Sequence, residues 1–270
     1  IDIKAYREWL IRNGLWVSVV AYAREAQKHC LVAKLVTEHG QAHVREEDFA
    51  AARAMMQRAA AAGCETAMVF NYRFFDQTLR ARQIVAERNF GKVLNVSGLI
   101  HYACWSHGID LVHHFADPVV ELTALQGTAI RGERTPALDV TAAFRTAADA
   151  TGTLIGTSAL SWDFPLFELT FNFEGGRIHF RDLDGDLEIL EHGSDRHETH
   201  AVARSASRWD QYNASFTKAT LAYLDALRTG TPPPVPGLDG LRELQVEAAI
   251  KRSIAACRPV DLAAELPLGL

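Results

Sequence analysis

The sequence lacks any run of eighteen uninterrupted apolar residues, and it does not open on a basic-then-apolar stretch. No membrane span or secretory signal is expected, and a cytoplasmic location is. Cysteine is scarce: Cys30, Cys64, Cys104 and Cys257 stand far apart with no CxxC pair, which reads as four reduced thiols rather than a disulfide framework. Positive charge is in deficit, with 28 Lys and Arg against 33 Asp and Glu. The absence of a basic patch argues against a nucleic-acid partner. Glycine is sparse at the front, where the first ninety residues hold only Gly14, Gly40 and Gly63, and no Gly-x-Gly occurs anywhere. The glycine turn that admits a dinucleotide's pyrophosphate to a helix N-terminus is therefore missing.

What is present suits a compact protein. The 270 residues are 48% hydrophobic and 23% charged, enough chain for one large domain or two smaller ones with a real core. Residues 1–14 read as a helix ending at Gly14, LWVSVV (15–20) as a buried strand, residues 21–28 as a helix and HCLV (29–32) as a second strand. Residues 46–63 form the clearest helix, acidic in its first turn, alanine-rich and stopped by Gly63. TAMVF (66–70) is a third strand. Strands alternating with helices predict a parallel α/β front.

After a helix over 76–89 the pattern changes. Residues 92–102, 119–130, 139–146, 153–162, 167–173 and 177–180 are β-type segments. In FELTFNF, Phe167, Leu169, Phe171 and Phe173 alternate with Glu168, Thr170 and Asn172, the signature of a sheet covered on one face. Glu174-Gly175-Gly176 is a hairpin turn. Helices over 209–227 and 238–257 flank a stiff TPPPVPG connector, and residues 259–262 form an extended tail.

The richest segment for chemistry is IHYACWSHGIDLVHHF (100–115). Asp110 and His114 are four apart and share a helical face. An aspartate beside an imidazole raises its basicity and makes a general acid/base near neutral pH. His107 falls on the same stripe, while His113 points elsewhere. The stripe His107, Asp110 and His114 also consists of metal-ligand types, which opens a metal-dependent lyase or hydrolase as an alternative, although no HExxH-type motif is present. Lys34, read as following the strand HCLV, and Arg73, in NYRF after TAMVF, stand at strand carboxyl ends, where open α/β sheets place ligands. Lys34 could equally be a surface lysine, and Arg73 a structural arginine pinning the following helix.

These segments resemble, in order, the landmarks of the Gfo/Idh/MocA family, the glucose-fructose oxidoreductase and inositol dehydrogenase relatives. QKHCLVAKLVTEHG is similar to the segment that carries the family's motif lysine, placing Lys34 there. AARAMMQRAAAAGCETAMVFNYRF resembles the helix and strand leading to its RF motif. ERNFGKVLNVSG resembles the entry into its second domain, GIDLVHH its D-x-x-x-H helix, and GLDGLRELQVEAAIKRSIAACRPVDL its closing helix and strand.

The resemblance, which covers residues 28–262, implies an incomplete Rossmann-like parallel α/β portion over 1–90. A large, mostly antiparallel open β-sheet domain with helices on one face follows over 91–270. It implies an NAD- or NADP-dependent enzyme moving a hydride to or from a secondary hydroxyl of a sugar, glycoside or cyclitol. His114 would be the acid/base, Asp110 its partner, and Lys34 would position substrate and cofactor. Arg73, His101, Tyr102, Trp105 and His107 would bind the polyol. A homodimer or homotetramer through the sheet face is expected by analogy. Three departures stand out: the missing Gly-x-Gly, Ala33-Lys34-Leu35 where the family has Glu-Lys-Pro, and a short connection from GLIHY to the Asp/His helix. Two missing βαβ units of about 30 residues each would make this chain part of a longer protein. The alternative is a non-redox relative, a pseudo-enzyme or oligomeric scaffold, that has lost its dinucleotide half.

Overall fold

A computed structural model describes residues 15–22, 33–37, 46–132, 137–160, 165–182, 185–201 and 207–269. The expected helix over 1–14 and the strand HCLV lie outside these residues.

The front holds three strands, β1 (Leu15–Tyr22), β2 (Ala33–Thr37) and β3 (Glu65–Ala67), ordered β2-β1-β3. Both pairs are antiparallel, not parallel as the sequence pattern predicts. Ten residues separate β1 from β2. A parallel crossover needs a dozen or more, so an antiparallel return is the short solution. β1 also continues through Ala21 and Tyr22, where a helix is expected. Helix α1 (Glu46–Ala61) leads from β2 to β3. Its buried Phe49, Ala52, Met56 and Ala59 recur at helical spacing.

A 3-10 turn (Asn71–Phe74) and helix α2 (Asp76–Glu87) lead to the main sheet. Its nine strands are β4 (Val93–His101), β5 (Val119–Arg131), β6 (Ala137–Thr146), β7 (Thr151–Thr157), β8 (Phe167–Phe173), β9 (Gly176–Arg181), β10 (Leu187–Glu191), β11 (His197–His200) and β12 (Val260–Asp261). They are ordered β11-β10-β9-β8-β4-β7-β6-β5-β12, and only β4–β7 is parallel. Short connections make β5–β6–β7 and β8–β9–β10–β11 two antiparallel meanders. β4 lies between them.

β8 buries Phe167, Leu169, Phe171 and Phe173 and leaves the intervening residues half-buried, as its alternation predicts. Helix α3 (Trp105–Ala116) packs on the buried face against β4 and β8. After helix α4 (Arg208–Thr229), helix α5 (Gly237–Ala256) packs on β5, α3 and α1, and a short helix α6 (Leu262–Glu265) follows β12. One hydrophobic cluster runs from Phe49 and Met56 through Ile109 and Phe171 to Leu241 and Leu266. No described helix is long and apolar enough to cross a membrane. Cys104 and Cys257 are free thiols, but Cys64 is disulfide-bonded, which corrects the expectation that all four are reduced.

Two glycines set the height of α3 above the sheet. A Cβ on Gly108 would meet Ile100 Cδ1 at 2.3 Å, so the helix sits close on β4 at that point. A Cβ on Gly156 of β7 would meet Tyr102 Cε1 at 2.8 Å and Trp105 Cζ3 at 3.0 Å, so both rings lie directly on the strand backbone.

Candidate functional site

β4 ends at His101, and the chain turns at once into a 3-10 step, Tyr102–Cys104, and then α3. His101 makes that turn: its Nδ1 accepts a hydrogen bond from the Ala103 amide at 3.0 Å. Cys104, His107 and Asp110 follow at intervals of three, so they form one stripe along the start of α3.

The 3-10 turn after β3 faces that stripe. It is pinned to α4 by Asn71 Nδ2, which donates to Ser215 Oγ at 2.9 Å in the interior. Its next two residues engage α3. The hydroxyl of Tyr72 donates to Cys104 Sγ at 3.3 Å, and its ring stacks on His107 with centroids 3.9 Å apart and planes 10° from parallel. Arg73 then grips Asp110 with two hydrogen bonds, Nε to Oδ2 at 2.9 Å and Nη2 to Oδ1 at 2.6 Å. Nη2 also lies 3.0 Å from Oδ2 of Asp239, in the first turn of α5.

This electrostatic cluster is nearly dry. The side chain of Asp110 is fully buried and that of Arg73 is 10% exposed. Burial pushes the Asp110 carboxyl up to about 7; Arg73 opposes the rise, and Asp239 and Glu243 add to it. Burial works against the Arg73 charge as well, but Asp110 and Asp239 hold the guanidinium above its ordinary value. Burial likewise raises the Cys104 thiol to about 12 and the Tyr72 phenol well above its usual range. Neither is a thiolate or phenolate nucleophile at neutral pH.

The expected Asp110–His114 pair is not formed. Arg73 takes both oxygens of Asp110, because the 3-10 turn delivers a bidentate cation to the face that spacing alone assigned to His114. His114 lies in the last turn of α3 with its ring edge-on to Phe115, and its carbonyl accepts from Arg82 Nη1 at 3.3 Å. Burial, with the charges of Arg73 and Arg82, lowers the imidazole to about 3. His113 is lowered to about 3 by burial and by Arg242 and Arg73, and its ring nitrogens are buried without a hydrogen-bond partner among the described residues. An imidazole that stays neutral so far below neutrality is a poor proton shuttle.

Other expected site residues are placed differently from one another. Arg73 and His107 meet at the cluster. Arg73 pins α3 and α5 rather than the helix that follows it. His101, Tyr102 and Trp105 are buried, and the hydroxyl of Tyr102 donates to the Leu138 carbonyl. These three build the β4–α3 corner and are not open to a polyol here. Lys34 lies inside β2, its backbone in register with Ser18 of β1, and not past the carboxyl end of a strand; the β-branched Val36 and Thr37 that follow favour extended backbone. Asp239 was missed, because an acidic residue early in a helix reads as a dipole partner. No three His, Cys, Asp or Glu among the described residues come together to hold a metal, and Asp110 of the candidate stripe is committed to Arg73.

No family model matches the chain, and no curated protein matches it. Solved structures do. An oxidoreductase from Agrobacterium radiobacter, in complex with NAD+, L-tartaric acid and magnesium, superposes with a TM-score of 0.68 at 17% identity, over 82% of this chain and 71% of that one. The chain shares the fold of NAD-binding oxidoreductases. Levoglucosan dehydrogenase, in complex with NADH and levoglucosan, matches with a TM-score of 0.61 at 17% identity, over 72% of this chain and 65% of that one. A super-repressor mutant of Gal80p from Saccharomyces cerevisiae matches with a TM-score of 0.63 at 8% identity, over 82% and 70%. The likeness is one of fold.

A bound dinucleotide would need a glycine turn opening a helix beneath its pyrophosphate. The sequence has no Gly-x-Gly, β1 and β2 contain no glycine, and the strands beside them run antiparallel. The described residues therefore do not fit the pyrophosphate half of the cofactor.

Proposed function

We propose that the protein is an NAD(P)-dependent oxidoreductase acting on a secondary hydroxyl of a sugar, glycoside or cyclitol. The observation that carries this reading is the convergence of His107 and the Arg73–Asp110–Asp239 cluster beside the carboxyl end of β4, in a fold shared with dehydrogenases. His107 replaces His114 as the group that holds or accepts the hydroxyl proton. It stands in the first turn of α3, only partly buried, on a scaffold braced by an internal ion cluster. Arg73 serves as the brace. With both its carboxylate partners in place, its charge is spent inside the protein and not on substrate.

Titration of the purified full-length protein with NADH and with NADPH, followed by nucleotide fluorescence, tests this reading. Saturable binding of one of them is expected, followed by substrate-dependent change in NAD(P)H absorbance across a panel of sugars and polyols. Binding of neither would overturn the reading and leave a non-redox relative, for which the missing Gly-x-Gly already speaks.

A partner copy is proposed for the open face of the main sheet. Register aligns Leu125, Thr141, Ile155 and Leu99 across β5, β6, β7 and β4. Leu125 is 77% exposed and Ile155 39%, apolar surface that a second copy would cover. Light scattering should report a dimer or tetramer that Leu125→Arg combined with Ile155→Arg shifts toward monomer. A wild-type monomer at all concentrations would refute this.

A further inference from the structure

We infer that Tyr72 is a positioning residue for His107, fixing the plane of its imidazole at the start of α3. The inference rests on His107 as the proton-carrying group of the proposed site. Three contacts by two adjacent residues define the arrangement. Tyr72 reaches Cys104 with its hydroxyl and His107 with its ring face, and Arg73 reaches Asp110 with both arms of its guanidinium. The targets are successive members of one helical stripe, so the 3-10 turn reads α3 from residue 104 to residue 110.

Tyr72 itself cannot wander. It is 4% exposed, its ring meets Phe75 edge-on at 5.1 Å and Phe167 at 5.8 Å, and Asn71 before it is tied to Ser215. Phe70, two residues earlier, meets His107 edge-on at 5.9 Å. The imidazole is thus held by one aromatic face and one aromatic edge delivered by the same segment. A ring stacked in parallel at 3.9 Å blocks tilting of the imidazole out of its plane. Nothing in the arrangement requires the tyrosine hydroxyl to touch substrate. Its bond ends on a thiol that burial keeps protonated.

A proton carrier of fixed plane presents its ring nitrogens along fixed directions. Misdirection by about 1 Å can lower a rate about a hundredfold. The role assigned to Tyr72 therefore differs from that of a core ring that merely fills space.

The test compares Tyr72→Phe, Tyr72→Leu and His107→Gln in the full-length protein, by turnover and by NMR of histidine-labelled samples. In the wild type, the ring protons of His107, assigned by loss in His107→Gln, should lie upfield of the other histidines through the ring current of Tyr72. Tyr72→Phe should keep that shift and keep kcat within about twofold, since the stack survives. Tyr72→Leu should return the shift to the ordinary histidine position and lower kcat about tenfold or more, with KM within about threefold. Full kcat in Tyr72→Leu, alongside a large loss in His107→Gln, would overturn the positioning role. Full kcat in His107→Gln would instead overturn the reading of His107 itself. Should Tyr72→Leu fail to fold, the wild-type and Tyr72→Phe spectra decide: a His107 resonance without upfield displacement refutes the stack.

Discussion

Arg73→Met should destabilise the protein by about 3–5 kcal/mol, the cost of leaving a buried carboxylate without its partner. Asp110 loses both hydrogen-bond donors and faces Asp239 and Glu243 without the guanidinium that gripped it. Its carboxyl must then stay protonated to remain buried. Denaturant unfolding at neutral pH measures the loss directly. Arg73→Met combined with Asp110→Asn should cost less than the sum of the two single changes, because the second change removes the charge that the first stranded. Strict additivity would mean that Arg73 and Asp110 do not act as one unit. A loss below about 1 kcal/mol for Arg73→Met would mean that the cluster behaves as a surface ion pair, in conflict with its burial.

Stability should fall as the pH drops from about 6.5 toward 3, and His113 should account for much of the slope. In the unfolded chain both His113 and His114 take up a proton below about 6.5. In the folded protein they remain neutral until about 3. The unfolded state then binds more protons, and each histidine costs about 1.4 kcal/mol per pH unit across that window. Asp110 works in the opposite sense. Its folded carboxyl titrates near 7, so between about 4 and 7 the folded state holds a proton that the unfolded chain releases, and stability declines as pH rises. One carboxyl offsets one imidazole, leaving a net acid loss of about 1.4 kcal/mol per unit above pH 4 and about twice that below. His113→Leu should reduce the difference in unfolding free energy between pH 7 and pH 5 by about 2 kcal/mol. An unchanged difference would show that His113 is protonated in the folded protein.

The main sheet was legible in the sequence because its signal is local. The alternation of Phe167 to Phe173 and the turn at Glu174-Gly175-Gly176 each sit within a few residues. β10 and the edge strand β11 escaped notice because they are only five and four residues long, and β11, half-exposed or exposed throughout, carries no apolar alternation. The direction of β1, β2 and β3 was not legible, since an apolar run says that a strand is buried and not which way it runs. The site divides in the same way. Spacing put Asp110, His107 and His114 on one face of α3, and it could go no further. Which of them would be gripped depended on Tyr72 and Arg73, more than thirty residues upstream, and on Asp239 from near the end of the chain.

β4 is the strand that joins the two meanders, and it also hands the chain to α3. Its partners, β7 and β8, come more than fifty residues later in the sequence. Contacts so distant along the chain are slow to form. The two meanders can assemble from neighbouring strands, each exposing an unsatisfied edge until β4 arrives to cap both. The β4–α3 corner, with Tyr102 and Trp105 seated on β7, is complete only once that seam has closed.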